Sequence, residues 1–299
     1  MPRDVSREAE GLTAALVAVL LTLGGLPACA ADAGSAVRGA YLANAADCVD
    51  CHTDSAHSGQ PYAGGRALAT RFGTFYSPNI TPDGETGIGR WSDAQFLRAL
   101  HDGVRPDGAN YFPVFPYPSF TKITDADVLA IKAYLFSLLP VRHANRPHDV
   151  AFPLSWRFLQ VGWKLLFFSP GRFQPAPERS AAYNRGAYLV TALAHCGECH
   201  TPRNCFGAAE PDRFLAGNPD GPDGNKVPNI TPDRRTGIGH WSEDDIVTLL
   251  ATGQTPDFDF VGDGMSEVVR NTSRLDDSDR RAIASYLRSL PPIRSERVQ

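Results

Sequence analysis

Cys48-Val49-Asp50-Cys51-His52 and Cys196-Gly197-Glu198-Cys199-His200 are two copies of one pentapeptide, and they decide how the rest of the chain reads. Two thiols three residues apart can reach the two vinyl groups of a single haem and form thioethers. The histidine that follows then lies under the ring as the proximal iron ligand. One such pentapeptide in 299 residues could be coincidence or half of a zinc site. Two copies, each followed by Thr and each opening the same downstream pattern, are a strong signal. A zinc site needs a second pair of Cys or His at ligand spacing, and neither copy has one. The expectation is two covalently attached c-type haems. One is held by Cys48, Cys51 and His52, the other by Cys196, Cys199 and His200, with His52 and His200 on the iron.

The pentapeptides belong to a longer internal repeat. Gly39-Ala40-Tyr41-Leu42 precedes the first and Gly186-Ala187-Tyr188-Leu189 the second. Pro78-Asn79-Ile80-Thr81-Pro82-Asp83, Thr86-Gly87-Ile88-Gly89 and Trp91-Ser92 return as Pro228-Asn229-Ile230-Thr231-Pro232-Asp233, Thr236-Gly237-Ile238-Gly239 and Trp241-Ser242. Ala130-Ile131-Lys132-Ala133-Tyr134-Leu135 answers Ala282-Ile283-Ala284-Ser285-Tyr286-Leu287. The offset drifts only from 147 to 152 residues, so one module has been duplicated with small loop changes. Residues 36–142 and 180–292 are the expected domains, each of an ordinary size for one small core.

Residues 12 to 26 are uncharged and mostly apolar and end in Pro27-Ala28-Cys29-Ala30, the pattern of a secretory signal peptide over residues 1–30. The leader departs from the usual form, because Asp4, Glu8 and Glu10 offset Arg3 and Arg7. Cleavage near Ala30 is the expectation, with lipidation of Cys29 as the alternative. Export suits covalent haem attachment, which takes place outside the bacterial cytoplasm. Loss of residues 1–30 takes the net charge from −4 to −3, and no Lys/Arg stripe appears, which argues against nucleic acid. Beyond the four motif thiols the exported chain keeps only Cys205, so there is no disulfide framework. Residues 143–179 are rich in Pro and aromatics, among them Trp156, Phe158, Trp163, Phe167, Phe168 and Phe173. A flexible linker does not carry that much apolar surface. The segment reads as a strap packed across both modules, with a docking patch for a partner or membrane as the alternative.

A coarse pass gives helices and loops with no convincing strand pair. Ser92 with Gln95 makes a capping box and Gly103 a stop; Ser242 and Gly253 mark the equivalent helix. The last helix of the first module starts after Thr124 and stops at Pro140, and its twin covers Asp276 to Leu290. The fold class is all-α. Asn79, Trp91, Asn229 and Trp241 recur at matching positions, and their N–H groups are candidates for holding haem propionates, with loop shaping and core packing as the alternative.

These modules resemble class I cytochrome c domains. The chain from about residue 36 to 292 resembles the multihaem cytochrome c subunits of bacterial membrane-associated dehydrogenases for alcohols, gluconate and related substrates. The carrying residues are the two attachment motifs, the paired Asn-Ile-Thr-Pro-Asp segments, Pro116-Tyr117-Pro118-Ser119 and Thr201-Pro202-Arg203-Asn204. The family commonly has three haem modules; here there are two. The resemblance implies an axial Met between the middle and last helices, where Met265 stands, so Met265 is the expected sixth ligand of haem 2. In the first module the matching position before Pro116 holds Phe115, which cannot bind iron. Haem 1 is then five-coordinate or bound by another residue such as His57 or His101.

The function expected is that of an exported, periplasmic dihaem electron carrier, with membrane association through its partner. It takes single electrons from a dehydrogenase catalytic subunit and passes them to quinone or to a cytochrome leading to a terminal oxidase. The rival is a dihaem redox enzyme, peroxidase-like or oxidising a small sulfur compound, with haem 1 as its centre. No nucleotide-binding loop or Ser-His-Asp signature and no acid–base group tied to haem 1 is visible in the sequence.

Overall fold

The computed structural model describes residues 28–295, so the apolar run at residues 12 to 26 lies outside the described residues. In the first module, α1 (Ala28–Ala45) leads into the short α2 (Cys48–Cys51), followed by α3 (Asp93–Asp102), α4 (Tyr117–Phe120) and α5 (Asp125–Ser137). Ser92 and Gln95 form the expected capping box, and Gly103 ends α3 at φ 60°. Helices α1 and α5 cross closely at Gly39, where an added Cβ would lie 1.8 Å from the Ala130 carbonyl oxygen. Only glycine fits there.

The sequence pass missed a small sheet. Strands β1 (Ala67–Thr70) and β2 (Gly73–Tyr76) form an antiparallel hairpin in the register Ala67↔Tyr76, and β3 (Asp149–Val150) pairs with β2. Its turn is held by Thr70, whose hydroxyl donates to the Gly73 carbonyl and accepts from the Phe72 amide, with Gly73 at φ 126°. Arg71-Phe72 carries no Asn-Gly signal, and four-residue strands are too short to show alternation, so nothing in the pattern announced the hairpin. The fold remains mainly helical.

Between the modules lies α6 (Leu159–Phe167). The second module has α7 (Ala181–Tyr188), α8 (Gly197–His200), α9 (Glu243–Thr252), α10 (Asp263–Thr272) and α11 (Asp277–Ser289). Gly186 repeats the close crossing, 1.9 Å from the Ala282 carbonyl oxygen. Helix α7 does not run straight on as α1 does. It passes into a π turn at Leu189–Leu193. The repeat offset grows from 147 at Gly39/Gly186 to 148 at Cys48/Cys196, and the π turn lies between them: one inserted residue is absorbed by wider i→i+5 bonding without moving the attachment motif.

One continuous core joins the modules, from Leu42 and Ile131 to Leu193 and Ile283. Two matching polar triads bolt it. Tyr41 of α1 donates to the Asp279 carboxylate of α11 at 2.7 Å, and Arg185 holds the same carboxylate at 2.8 Å. Reciprocally, Tyr188 of α7 donates to Asp127 of α5 at 2.6 Å, and Arg38 holds Asp127 at 3.1 Å. Each tyrosine oxygen also accepts a backbone amide at the start of the opposite last helix, from Asp276 and from Thr124. The strap touches both modules. Lys164 donates to the Asp102 and Gly103 carbonyls at the end of α3, while Trp163 donates to the Phe206 carbonyl of the second module.

Candidate functional site

Each attachment motif is one helical turn pinned by the loop that follows. In α2, His52 directs Nδ1 at the Pro78 carbonyl, 2.8 Å away; in α8, His200 does the same with Pro228 at 2.8 Å. A carbonyl can only accept, so Nδ1 carries the hydrogen and Nε2 keeps its lone pair in both modules. Burial lowers the affinity of both imidazoles for a second proton, which preserves that lone pair. Gly64 and Gly217 bring the following loops back, their amides donating to the His52 and His200 carbonyls at 2.8 Å. A Cβ at Gly64 would lie 2.4 Å from the Pro78 carbonyl carbon. Burial also pushes the motif thiols up, to about 12 for Cys48, Cys51 and Cys196 and to about 11 for Cys199. Two thiols on one turn beside an imidazole of fixed tautomer fit a covalently held haem, and the chain supplies this arrangement twice.

The two motifs meet at the module seam. The charge of Asp47 acts on both Cys51 and Cys199 and raises both thiols. Around them each module's distal segment grips the other module's attachment turn. From α10, Asn271 donates to Asp47 and, at 2.8 Å, to Asp50, while Glu267 pairs with Arg66 at 2.8 Å. Arg66 in turn donates to the Asp50 carbonyl. From α4, Ser119 donates to Glu198 at 2.7 Å and Phe120 stacks edge-on against His195 at 5.2 Å. Burial opposes ionisation of Glu198, but the Arg203 guanidinium and the Ser119 hydroxyl outweigh it and hold the carboxyl below its usual range. Burial, with Asp50 beside it, drives Asp47 the opposite way, well above the carboxylate range.

Met265 lies on α10, half-buried against the core. Phe115 and Met265 both stand twelve residues after a helix-stop glycine, Gly103 or Gly253. The loops between are built alike, with bridges Val104↔Asn110 and Gln254↔Phe260. The copies then diverge: Phe115 precedes the four-residue α4, whereas Met265 sits inside the ten-residue α10. Phe115 packs edge-on to Tyr111 at 5.1 Å and to Phe120 at 5.8 Å.

The other candidate residues are engaged elsewhere in the structure. His101 is 1% exposed, and its Nε2 donates to the Ile123 carbonyl at 3.0 Å, so it is a core histidine. The His57 side chain is 79% exposed and pairs with Asp54. Asn79 donates to Thr86 and the Val141 carbonyl and accepts from Thr81; Asn229 repeats this with Thr236, Ile293 and Thr231. Both amides therefore shape the loop that carries the Pro78 or Pro228 carbonyl, and neither is free for a propionate. Trp91 and Trp241 pack against the core.

The residues that the sequence reading passed over are those of the seam. Their signal was present, since Arg38 and Arg185 open the two copies of Arg-Gly-Ala-Tyr-Leu and Asp127 and Asp279 repeat at one offset. Their pairing across modules was not.

The cytochrome c family model matches residues 36–139. A diheme cytochrome c-type protein of Cereibacter sphaeroides is 45% identical over 266 residues, covering 87% of each chain. The cytochrome c subunit of an alcohol dehydrogenase (quinone) from Gluconacetobacter polyoxogenes is 44% identical over 88% of this chain and 57% of its own length. The gluconate 2-dehydrogenase cytochrome c subunit of Pantoea cypripedii is 42% identical over 85% of this chain and 59% of its own. The chain thus spans less than two thirds of those two subunits. With two attachment motifs built alike and near-full-length similarity to a dihaem protein, this chain belongs to the dihaem cytochromes c.

Proposed function

We propose that this protein is an exported, periplasmic relay. It takes single electrons from a dehydrogenase catalytic subunit and hands them to quinone or to a downstream cytochrome or terminal oxidase. The observation that carries the reading is the seam, where Asn271 of α10 holds the first attachment turn and Ser119 of α4 holds the second, between modules that share one core. Haem supplies reversible one-electron chemistry when bound. The chain's part is to fix position and environment. His52 and His200 present Nε2 because their Nδ1 hydrogens are held by Pro78 and Pro228. Met265 is the proposed second axial ligand in the second module. The interlocked α4 and α10 segments keep the two sites at one separation. Similarity to dehydrogenase cytochrome subunits supports the choice of electron donor.

Phe115 favours one rival, a redox enzyme with an open position in the first module. The Phe115 ring packs edge-on against Tyr111 and Phe120. The deciding experiment isolates the tagged, haem-loaded protein from its native host and follows its visible spectrum. Co-isolation of a dehydrogenase subunit, with reduction of both haems on adding that enzyme's substrate, is the expected result. Turnover of peroxide or of a reduced sulfur compound, with no dehydrogenase attached, would replace the relay by the enzyme.

A further inference from the structure

One loop is built twice in this chain, and only one copy is covered. After the glycine stops of α3 and α9, the Arg105 and Thr255 amides donate to the Ala109 and Asp259 carbonyls at 2.8 Å. The Tyr111 and Val261 amides then close back on the Gly103 and Gly253 carbonyls. In the first module the strap lies on this loop. Lys164 donates to the Asp102 and Gly103 carbonyls at 2.6 and 2.9 Å and to the Asn110 side chain at 2.7 Å. Arg157 donates to the Asn110 carbonyl at 3.0 Å, and Val161 and Phe168 line the same spot. The second loop has no such cover among the described residues: Phe258 is 80% exposed, and Phe260, at the position of Asn110, is 68% exposed.

The tip of the bare loop runs against its own backbone preference. The first module has Gly108 there at φ 84°, and an added Cβ would meet nothing within 4 Å, so the glycine answers to the backbone alone. The second module has Phe258 at φ 65°, a left-handed conformation that is costly for a bulky side chain. A ring standing in solvent gains no packing to offset that cost. The charges differ as well. Asp107 pairs with Arg105 at 3.0 Å, but Thr255 stands at the position of Arg105, and the Asp257 and Asp259 side chains have no partner among the described residues. From Trp241 to Val269 the chain has seven carboxylates and no Lys or Arg. Arg281 and Arg66 reach in to Asp244 and Glu267, while the loop pair is left bare. We propose that residues 254–261 dock a protein redox partner that presents Lys or Arg around an apolar centre, the chemistry that the strap brings to the first module. Phe258 and Phe260 form the apolar centre and Asp257 and Asp259 the charged rim. An anionic lipid surface is the wrong occupant, because its headgroups would face those carboxylates. The loop leads directly into α10, which carries Met265, so the partner meets the chain at its second module. The inference rests on the relay reading and names where the relay is entered or left.

The test reduces the haem-loaded full chain with dithionite and mixes it rapidly with oxidised mitochondrial cytochrome c, a strongly basic protein, as the probe. The wild-type rate should fall about tenfold between low salt and ~0.5 M salt. Asp257→Asn/Asp259→Asn should lower the low-salt rate about fivefold and flatten the salt dependence. Phe258→Gly should also slow the reaction while leaving the thermal midpoint unchanged or higher, because glycine accepts the left-handed backbone without strain. Both variants should keep two haems and reduce benzoquinone, an uncharged oxidant, at the wild-type rate. Equal rates for wild type and variants with the basic probe overturn the proposal. So does a Phe258→Gly chain that is less stable than the wild type, because the ring is then packing. Variants that react normally with the probe but lose self-association on size exclusion, or lose binding to phosphatidylglycerol vesicles, overturn it as well, since the loop then faces a second copy or a membrane. Dithionite supplies the electrons here, so failure of the dehydrogenase reading would show in the co-isolation experiment and not in this one.

Discussion

Met265 and Phe115 are the residues on which the two otherwise matched modules part. If the Met265 thioether is an axial ligand, Met265→Ala should abolish the weak far-red charge-transfer band of the oxidised protein and lower one midpoint potential; axial identity is one of several levers that span about 0.8 V. An unchanged spectrum would leave Met265 as packing. The converse change is equally telling. Phe115→Met should add a second such band and remove any high-spin electron paramagnetic resonance signal, provided that the equivalence of the two loops extends to the iron. His148 supplies a separate handle on acid stability. Burial, with Arg157 and Arg105 nearby, lowers it to about 4 from 6.5, and its Nδ1 accepts the Tyr76 amide between the rings of Phe75 and Phe112. The unfolded chain therefore binds more protons between those values. His148 contributes its full stability above about pH 6.5 and loses it as pH falls toward 4. His148→Gln should flatten that limb, read from urea midpoints at neutral pH and near pH 4.

At the scale of elements, the repeat predicted helix ends well because caps are local. Ser92 and Ser242 make their capping boxes with Gln95 and Asp245, and Gly103 and Gly253 take positive φ, as their sequence neighbours require. The hairpin at 67–76 and the π turn at 189–193 were not legible. The first has four-residue strands and completes its sheet with a strand from the strap; the second changes hydrogen bonding without changing residue type. Glycines at helix crossings are another feature that only packing explains. Gly39→Ala and Gly186→Ala should each destabilise by ~1–3 kcal/mol, since the methyl meets a backbone carbonyl that no rotamer can move aside. Thermal midpoints of the haem-loaded variants check this, and each substitution should act on its own module.

For the whole molecule, the seam governs. Tyr41→Phe and Tyr188→Phe each remove a hydrogen bond to a carboxylate, part-buried at Tyr41 and buried at Tyr188, about 1.5–3 kcal/mol for the buried one by general experience. Each leaves an arginine on the same carboxylate, Arg185 or Arg38. Each single variant should keep two haems and lose stability. The double variant should in addition slow electron exchange between haems, followed by rapid-mixing reduction, because the two triads hold the modules at one separation. An exchange rate equal to the wild type would assign the triads to stability alone.

Sequence by itself determined the cofactor chemistry, the duplication and most helix ends, and proposed the proximal histidines, because a thioether motif, a cap and a glycine stop each act over a few neighbouring residues. Tertiary structure decided what those parts are for. It turned His101 into a core histidine by giving its Nε2 to Ile123, and it committed Asn79 and Asn229 to the loops beneath the attachment turns. It also crossed the repeat, placing Tyr41 on Asp279 and Tyr188 on Asp127, and so set α10 on the first attachment turn and α4 on the second. Partners 238 and 61 residues apart leave no local trace in composition or spacing, since which carboxylate a tyrosine meets depends on how two whole modules dock.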